Sequence, residues 1–113
     1  NGIIINISST NGIDTPYIES IDYDASKAGL ISLSNNLANY LAPYVRVNTI
    51  CPGWINTSMN KELDNEFKCE EDKILLGRFG NPIEVASVVK FLISDEASYI
   101  NNSIIRVDGG KKC

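Results

Sequence analysis

The chain has 113 residues, a formal net charge of -4 and a sequence pI of about 4.7. This acidic balance does not favour nucleic-acid binding, and no apolar run approaches the roughly 20 residues that a membrane span requires. The cysteines at positions 51, 69 and 113 lie far apart and histidine is absent, so we expect neither a metal site nor a disulfide framework. The composition is that of a cytoplasmic domain with an ordinary hydrophobic core.

The first element is a predicted strand at the very beginning of the chain. The run Ile3–Ser8 is almost continuously β-branched, which is typical of a strand buried on both faces, as in parallel sheets. Such a strand normally has neighbours supplied by preceding sequence, and the chain opens at Asn1 with Met59 as its only methionine. We therefore expect these residues to belong to a longer chain, the parent protein.

A helix and a second strand follow. Apolar residues spaced at threes and fours predict a helix over Asp24–Leu41, with Pro43 ending it. The Ile/Val-rich run Val45–Cys51 then predicts a second buried strand. Strand, helix and strand in this order indicate a βαβ unit with a parallel sheet.

The segment after the second strand is different in composition. Charged residues dominate from Thr57 to Lys73 and apolar anchors are few, so we expect a helical excursion outside the central packing. This segment forms the centre of a predicted substrate lid at about 54–76.

A second helix and a third strand complete the pattern. Asn81 is the predicted N-cap, with Pro82 at the first helical position and Glu84 where a capping partner reaches back. Apolar residues on more than one side of this helix predict that it is largely covered. With a last strand at Ile104–Asp108, the fold class is α/β, with a parallel sheet and flanking helices.

Two side chains in the segment YDASK raise the question of chemistry. Tyr23 and Lys27 are four residues apart, so a helix places them on one face. A positive charge favours the ionised form of a neighbouring phenol, which can then exchange a proton with a reacting oxygen. The same spacing also suits a solvated lysine beside a packed ring. However, Ser8 and Ser9 end the first strand, and the carboxyl ends of parallel strands face the ligand crevice.

The chain resembles the C-terminal half of a short-chain dehydrogenase/reductase in five segments: INISS, YDASKAG, RVNTICPGWINT, LGRFGNPIEVASVVKFLISDEASYI and VDGG. The resemblance implies that residues 1–113 form one partial domain, the C-terminal half of a doubly wound Rossmann-like fold. It further implies an NAD(P)-dependent oxidoreductase that reduces a ketone to an alcohol, or the reverse, most like the 3-oxoacyl-acyl-carrier-protein reductases. The expected substrate is a small carbonyl compound or alcohol, including acyl-carrier-protein-linked ones, and the expected assembly is a homodimer or homotetramer.

The resemblance also assigns catalytic roles. Tyr23 matches the family's acid/base tyrosine, and Lys27 matches the lysine that favours ionisation of this tyrosine and hydrogen-bonds the nicotinamide ribose. Ser9 aligns with the residue that hydrogen-bonds the substrate oxygen, and Ser8 is the weaker candidate. Tyr17 lies between them but has no lysine four residues later, so Tyr23 is preferred.

The segment after the second strand resembles the family's PGxxxT motif at the nicotinamide end of the cofactor. Pro52 and Gly53 form its turn, the backbone of Ile55 pairs with the carboxamide, and the Thr57 hydroxyl reaches a phosphate. Trp54 is expected either to line the substrate pocket or simply to pack.

Several features of the family are missing from the sequence. The glycine-rich turn, the residue that selects NAD or NADP, and the asparagine of the proton relay belong to the family's first half, so the cofactor is NAD or NADP. We expect the isolated 113 residues neither to bind the dinucleotide tightly nor to turn over. An alternative is an inactive half-domain that acts as a self-association or interaction module, and the upstream sequence distinguishes the two. A serine hydrolase using Ser9 is disfavoured because no histidine could act as its base.

Overall fold

The computed structural model describes residues 1–57 and 70–112. Its strands are β1 (Gly2–Ile7), β2 (Val45–Pro52) and β3 (Ile104–Val107), and its main helices are α1 (Ile21–Leu41) and α2 (Pro82–Leu92). The strands form one sheet in the order β1-β2-β3, and both pairs are parallel. The predicted α/β fold with a parallel sheet and flanking helices is confirmed.

Strand β2 is the buried centre of this sheet, whereas β1 is not buried on both faces. Residues 47–51 of β2 are all buried, as the sequence predicts. In β1, however, Ile3 and Ile7 are 39% and 41% exposed, so the burial on both faces that the β-branched run by itself indicates is not seen in this chain. Asn6 faces α1, so the alternating residues Ile3 and Ile7 lie on the opposite face of β1, which the described elements leave partly uncovered.

Helix α1 packs across β1 and β2 through small residues. Ser34 and Ala38 are buried, and the Asn6 amide of β1 donates to Ser34 Oγ at 2.8 Å. The helix ends at Leu41 because Ala42, which precedes a proline, has extended backbone. Its outer face leaves Tyr40 84% exposed. The expected assembly into a homodimer or homotetramer stays a prediction.

Helix α2 begins as predicted but is less covered than predicted. The capping box is present: the Asn81 side chain accepts from the backbone of Glu84, and the Glu84 carboxylate accepts from Asn81 N. Only Leu92 is buried, while Ile83 and Phe91 are 68% and 44% exposed. The prediction of a largely covered helix is therefore wrong, because the described structure packs only one face of α2 against the sheet.

The hydrophobic core lies between β2 and α2. Ile50, Leu92 and Ala97 are fully buried and form one cluster. Next to it, the buried Asn48 amide donates to the Ile100 carbonyl and accepts a backbone N–H, both at 3.0 Å. With its polar atoms paired, Asn48 fixes the segment before β3 against β2.

Some sequence predictions lie outside the described residues. The predicted lid at 54–76 is described only at its two ends, and Cys69 and Cys113 are not covered. Cys51 is buried, and burial raises the pKa of its thiol, as expected for an inert cysteine. Within the described segments, no helix is long and apolar enough to cross a membrane.

The start of α2 provides an expected pH effect on stability. Arg78 donates to both carboxylate oxygens of Glu84, at 2.8 and 2.9 Å, and this pairing, together with the hydrogen bond from Asn81 N, lowers the pKa of Glu84 from 4.5 to about 2. A lowered pKa in the folded state stabilises the fold above pH 4.5, and this contribution is lost as the pH falls towards 2. We therefore expect the Tm of the Glu84→Gln variant to fall less than that of the unmodified chain when the pH is lowered from 4.5 towards 2 at low salt.

The control for this experiment is Glu96→Gln, which neutralises an exposed glutamate in the 3-10 turn Asp95–Ala97. It should leave the pH dependence of Tm close to that of the unmodified chain. If Tm depends on pH in the same way in the Glu84 and Glu96 variants, the pair between Arg78 and Glu84 contributes nothing measurable to the pH dependence of stability. Because the pair is largely exposed, its effect should also shrink in high salt.

Candidate active site

The carboxyl ends of β1 and β2 open onto a cavity of about 620 Å³, called here the main cavity. It is lined by Ser9, Thr10, Asn11, Thr15, Tyr17, Glu19, Ser20, Tyr23, Gly53, Trp54 and Glu70. The structure thus brings together four of the residues predicted for the site: Ser9, Tyr23, Gly53 and Trp54.

The two serines after β1 have separate roles. Ser9 caps the 3-10 turn Thr10–Gly12, because its Oγ accepts from Asn11 N at 3.1 Å, and it also lines the main cavity. Ser8 does not line this cavity, and its Oγ donates to the Lys27 carbonyl at 2.7 Å. Ser8 therefore ties the end of β1 to α1, which leaves Ser9 as the serine that faces the cavity.

Tyr23 and Lys27 lie on the same face of the first turns of α1, as predicted. The ammonium nitrogen of Lys27 is 5.5 Å from the centroid of the Tyr23 ring, which allows a cation–π contact. It also donates to the Ile7 carbonyl at 3.2 Å, at the end of β1. An ammonium has three N–H donors, so this bond leaves it capacity for a ligand.

Asp24 organises the loop in front of the helix. Its carboxylate accepts from the Asn11 amide at 2.8 Å, from Tyr17 N at 3.0 Å and from Ser20 Oγ at 3.0 Å. The backbone hydrogen bond from Tyr17 is the main cause of its lowered pKa. The sequence alone suggests only a negative charge at a helix N-terminus, whereas the structure shows that Asp24 holds the loop against the turn that carries Tyr23.

A hydrogen-bonded aromatic cluster forms one wall of the cavity. The Tyr17 hydroxyl donates to Glu70 Oε2 at 2.8 Å and accepts from Trp54 Nε1 at 3.4 Å. Trp54 also stacks on Phe79, with ring centroids 5.5 Å apart. Burial raises the pKa of Tyr17, so its hydroxyl stays protonated and can donate. Glu70 was not predicted as a site residue, because it lies 53 residues from Tyr17 in the sequence.

Gly53 has a packing role that the sequence did not reveal. A Cβ on this residue would lie 2.7 Å from the Cβ of Asp108, and Gly53 N donates to the Val107 carbonyl at 3.0 Å. The turn after β2 therefore needs glycine in order to approach the end of β3. The predicted close approach of Gly53 to a cofactor stays a prediction.

The rest of the predicted cofactor segment lies away from the main cavity. Ile55 pairs with Gly80 in an isolated parallel bridge and lines a small recess of about 50 Å³. Thr57 is exposed, and neither it nor Pro52 is among the residues that line the main cavity. The cofactor roles of these residues stay predictions.

A family model described as Enoyl-(Acyl carrier protein) reductase matches residues 1–112. The structure also superposes on a short-chain dehydrogenase/reductase from Brucella melitensis, with a TM-score of 0.86 and 36% identity, over 96% of this chain and 44% of that one. The chain belongs to the short-chain dehydrogenase/reductase family.

Two further relatives refine the comparison. The chain is 48% identical to the 3-oxoacyl-acyl-carrier-protein reductase FabG of Aquifex aeolicus over 111 residues, which cover 96% of this chain and 44% of that protein. It also resembles a 4-hydroxyisoleucine dehydrogenase complexed with NADH, with a TM-score of 0.88 and 33% identity, over 96% of this chain and 46% of that one. The chain thus spans just under half the length of the proteins it matches.

Proposed function

We propose that the chain is the C-terminal half of one short-chain dehydrogenase/reductase domain, and that the parent protein is an NAD(P)-dependent oxidoreductase. It reduces a ketone to an alcohol, or catalyses the reverse reaction. The observation that carries this proposal is the arrangement of three side chains. Ser9 and Tyr23 line one cavity at the strand ends, and the Lys27 ammonium lies 5.5 Å from the Tyr23 ring.

Each of these residues has a defined task in carbonyl reduction. The Tyr23 phenol donates its proton to the carbonyl oxygen as negative charge develops there, which is general acid catalysis. The Ser9 hydroxyl donates a hydrogen bond to the same oxygen and stabilises that charge. The Lys27 ammonium stabilises the phenolate that forms on Tyr23. In the oxidation direction the phenolate accepts the proton instead.

The residues present are suited to hold the reactive end of a nicotinamide cofactor. NADH or NADPH supplies the hydride when bound. Lys27 has donors beyond its bond to Ile7, and ribose hydroxyls are suitable acceptors. The segment from Pro52 to Thr57 follows β2 at its carboxyl end, where such ligands bind in open α/β sheets. The relative complexed with NADH supports this proposal.

We propose a 3-oxoacyl group as the substrate, presented on acyl carrier protein or on a similar thioester. The similarity to the Aquifex aeolicus reductase supports this assignment. A cavity of about 620 Å³ is within the usual size of small-molecule sites, roughly 300–1,000 Å³. The rings of Tyr17 and Trp54 give it an apolar wall next to the polar Ser9 and Tyr23.

The test is an assay of the parent protein with NADH and NADPH and a 3-oxoacyl thioester. We expect one of the two nucleotides to be oxidised only when the thioester is present, with formation of the 3-hydroxyacyl product. The product is identified by mass spectrometry. Failure to oxidise either nucleotide with 3-oxoacyl thioesters and simple ketones would contradict the proposal. If the gene also begins near Asn1, that failure would favour the interaction module.

A further inference from the structure

The wall formed by Tyr17, Trp54 and Glu70 separates the main cavity from a neighbouring one of about 270 Å³, and all three residues line both. Tyr17 holds the Glu70 carboxylate through the 2.8 Å hydrogen bond, and the Glu70 side chain is only 13% exposed. The position of this carboxylate is therefore fixed by contacts within the wall. It lies beside the space in which the substrate is proposed to bind.

Among the described residues, the charged side chains that line the main cavity are carboxylates, whereas the Lys27 ammonium lies outside this lining, 5.5 Å from the centroid of the Tyr23 ring. These carboxylates are those of Glu19 and Glu70. In the part of the chain that the structure describes, Lys73 pairs with Glu70, its ammonium lying 3.3 Å from Glu70 Oε1. Lys73 is 67% exposed and lines the neighbouring cavity, not the main one. An exposed lysine offsets little of a carboxylate's charge because water and salt screen it.

We infer that Glu70, positioned by Tyr17, is a specificity-determining residue that disfavours substrates with a carboxylate and admits neutral or ammonium-bearing ketones and alcohols. This inference rests on the proposed function, because it concerns the substrate of that site. A substrate carboxylate placed beside the Glu70 carboxylate is repelled by it, because like charges at short distance disfavour each other. Hydroxyl, amide N–H and ammonium groups, in contrast, can donate to Glu70.

The test compares two ketones that differ in charge, acetoacetate and its ethyl ester, in the parent protein. Selectivity is the ratio of their kcat/KM values. Glu70→Gln removes the charge but retains an oxygen that can accept from Tyr17. We expect it to raise kcat/KM for acetoacetate about tenfold and to change that for the ester less than about twofold.

Glu71→Gln is the matched control, since it removes the same charge from the adjacent residue, which does not line the main cavity. It should leave the ratio of the two kcat/KM values unchanged. If the ratio of the kcat/KM values for acetoacetate and its ester is the same in the Glu70→Gln variant as in the unmodified protein, the inference is overturned. The same change of this ratio in the Glu70 and Glu71 variants would also overturn it, because the effect would then be one of net charge.

A binding measurement separates this inference from the proposed function. The indole N–H of Trp54 lies 3.4 Å from the Tyr17 hydroxyl, so the tryptophan fluorescence that the parent protein loses on Trp54→Phe substitution reports on the cavity without turnover. If the parent protein reduces neither these two ketones nor a 3-oxoacyl thioester, the proposed function fails, but each ketone can still be titrated against this signal. Glu70→Gln must then strengthen acetoacetate binding about tenfold relative to the ester. Any other result, including no binding of either ketone, overturns the specificity role.

Discussion

Tyr23→Phe is expected to lower kcat for carbonyl reduction by the parent protein about a thousandfold. The substitution removes the phenol proton but keeps the ring, and with it the contact to the Lys27 ammonium 5.5 Å from the ring centroid. Since only the proton donor is lost, the KM for ketone should change much less than kcat. Steady-state kinetics with the preferred nucleotide provide the measurement.

The control for this experiment is Tyr17→Phe, the same chemical change at the other tyrosine that lines the main cavity. The Tyr17 hydroxyl is bonded to Glu70 and Trp54, so its loss should affect a neutral ketone by less than about tenfold in kcat. Thermal unfolding of both variants establishes that each is folded. If Tyr23→Phe kept most of the activity, or if Tyr17→Phe lost as much, the acid/base role would belong elsewhere.

Local sequence signals predicted the parts of the fold that depend on local chemistry. The capping box of Asn81 and Glu84 and the extended Ala42 before a proline set the start of α2 and the end of α1. The apolar patterns of β1 and α2, taken alone, did not indicate the exposure of Ile3 and Ile83. A hydrophobic pattern indicates which faces can be buried, but burial also requires a neighbouring element, and the pattern does not contain that information.

In the candidate site, too, local features could be predicted from the sequence, whereas contacts between distant segments could not. Ser9, Tyr23 and Lys27 were predicted from the resemblance to the family, whose motifs are short local segments, whereas the strand-end serines and the spacing of four on a helix would not have singled them out alone. The roles of Asp24 and Glu70 could not be predicted, because they depend on contacts between separate loops, such as the bond from Tyr17 to Glu70 across 53 residues. Sequence analysis thus identified the groups proposed for the chemistry, whereas the structure was needed to find those that position them.

Gly12→Ala is expected to destabilise the protein by about 1–3 kcal/mol, because it forces a side chain into a closely packed contact. A Cβ on Gly12 would lie 2.7 Å from the Ala28 nitrogen and 2.8 Å from the Lys27 carbonyl carbon. These are backbone atoms of α1, so they cannot rotate away as a side chain could. Relief of the clash requires the 3-10 turn to move away from the helix, which displaces Ser9 from Tyr23 and should also lower activity.

Gly29→Ala is the matched control for this last experiment, since it makes the same change in α1 where nothing lies within 4 Å of the added Cβ. Replacing a glycine inside a helix with alanine should stabilise the fold by about 0.5–1 kcal/mol. Urea unfolding of the parent protein measures both effects, which should be opposite in sign. Equal stabilities for the two variants would mean that the turn and helix are not as closely packed as the structure indicates. Opposite signs, with activity lost only in the Gly12 variant, would show that this backbone contact holds Ser9 and Tyr23 in register.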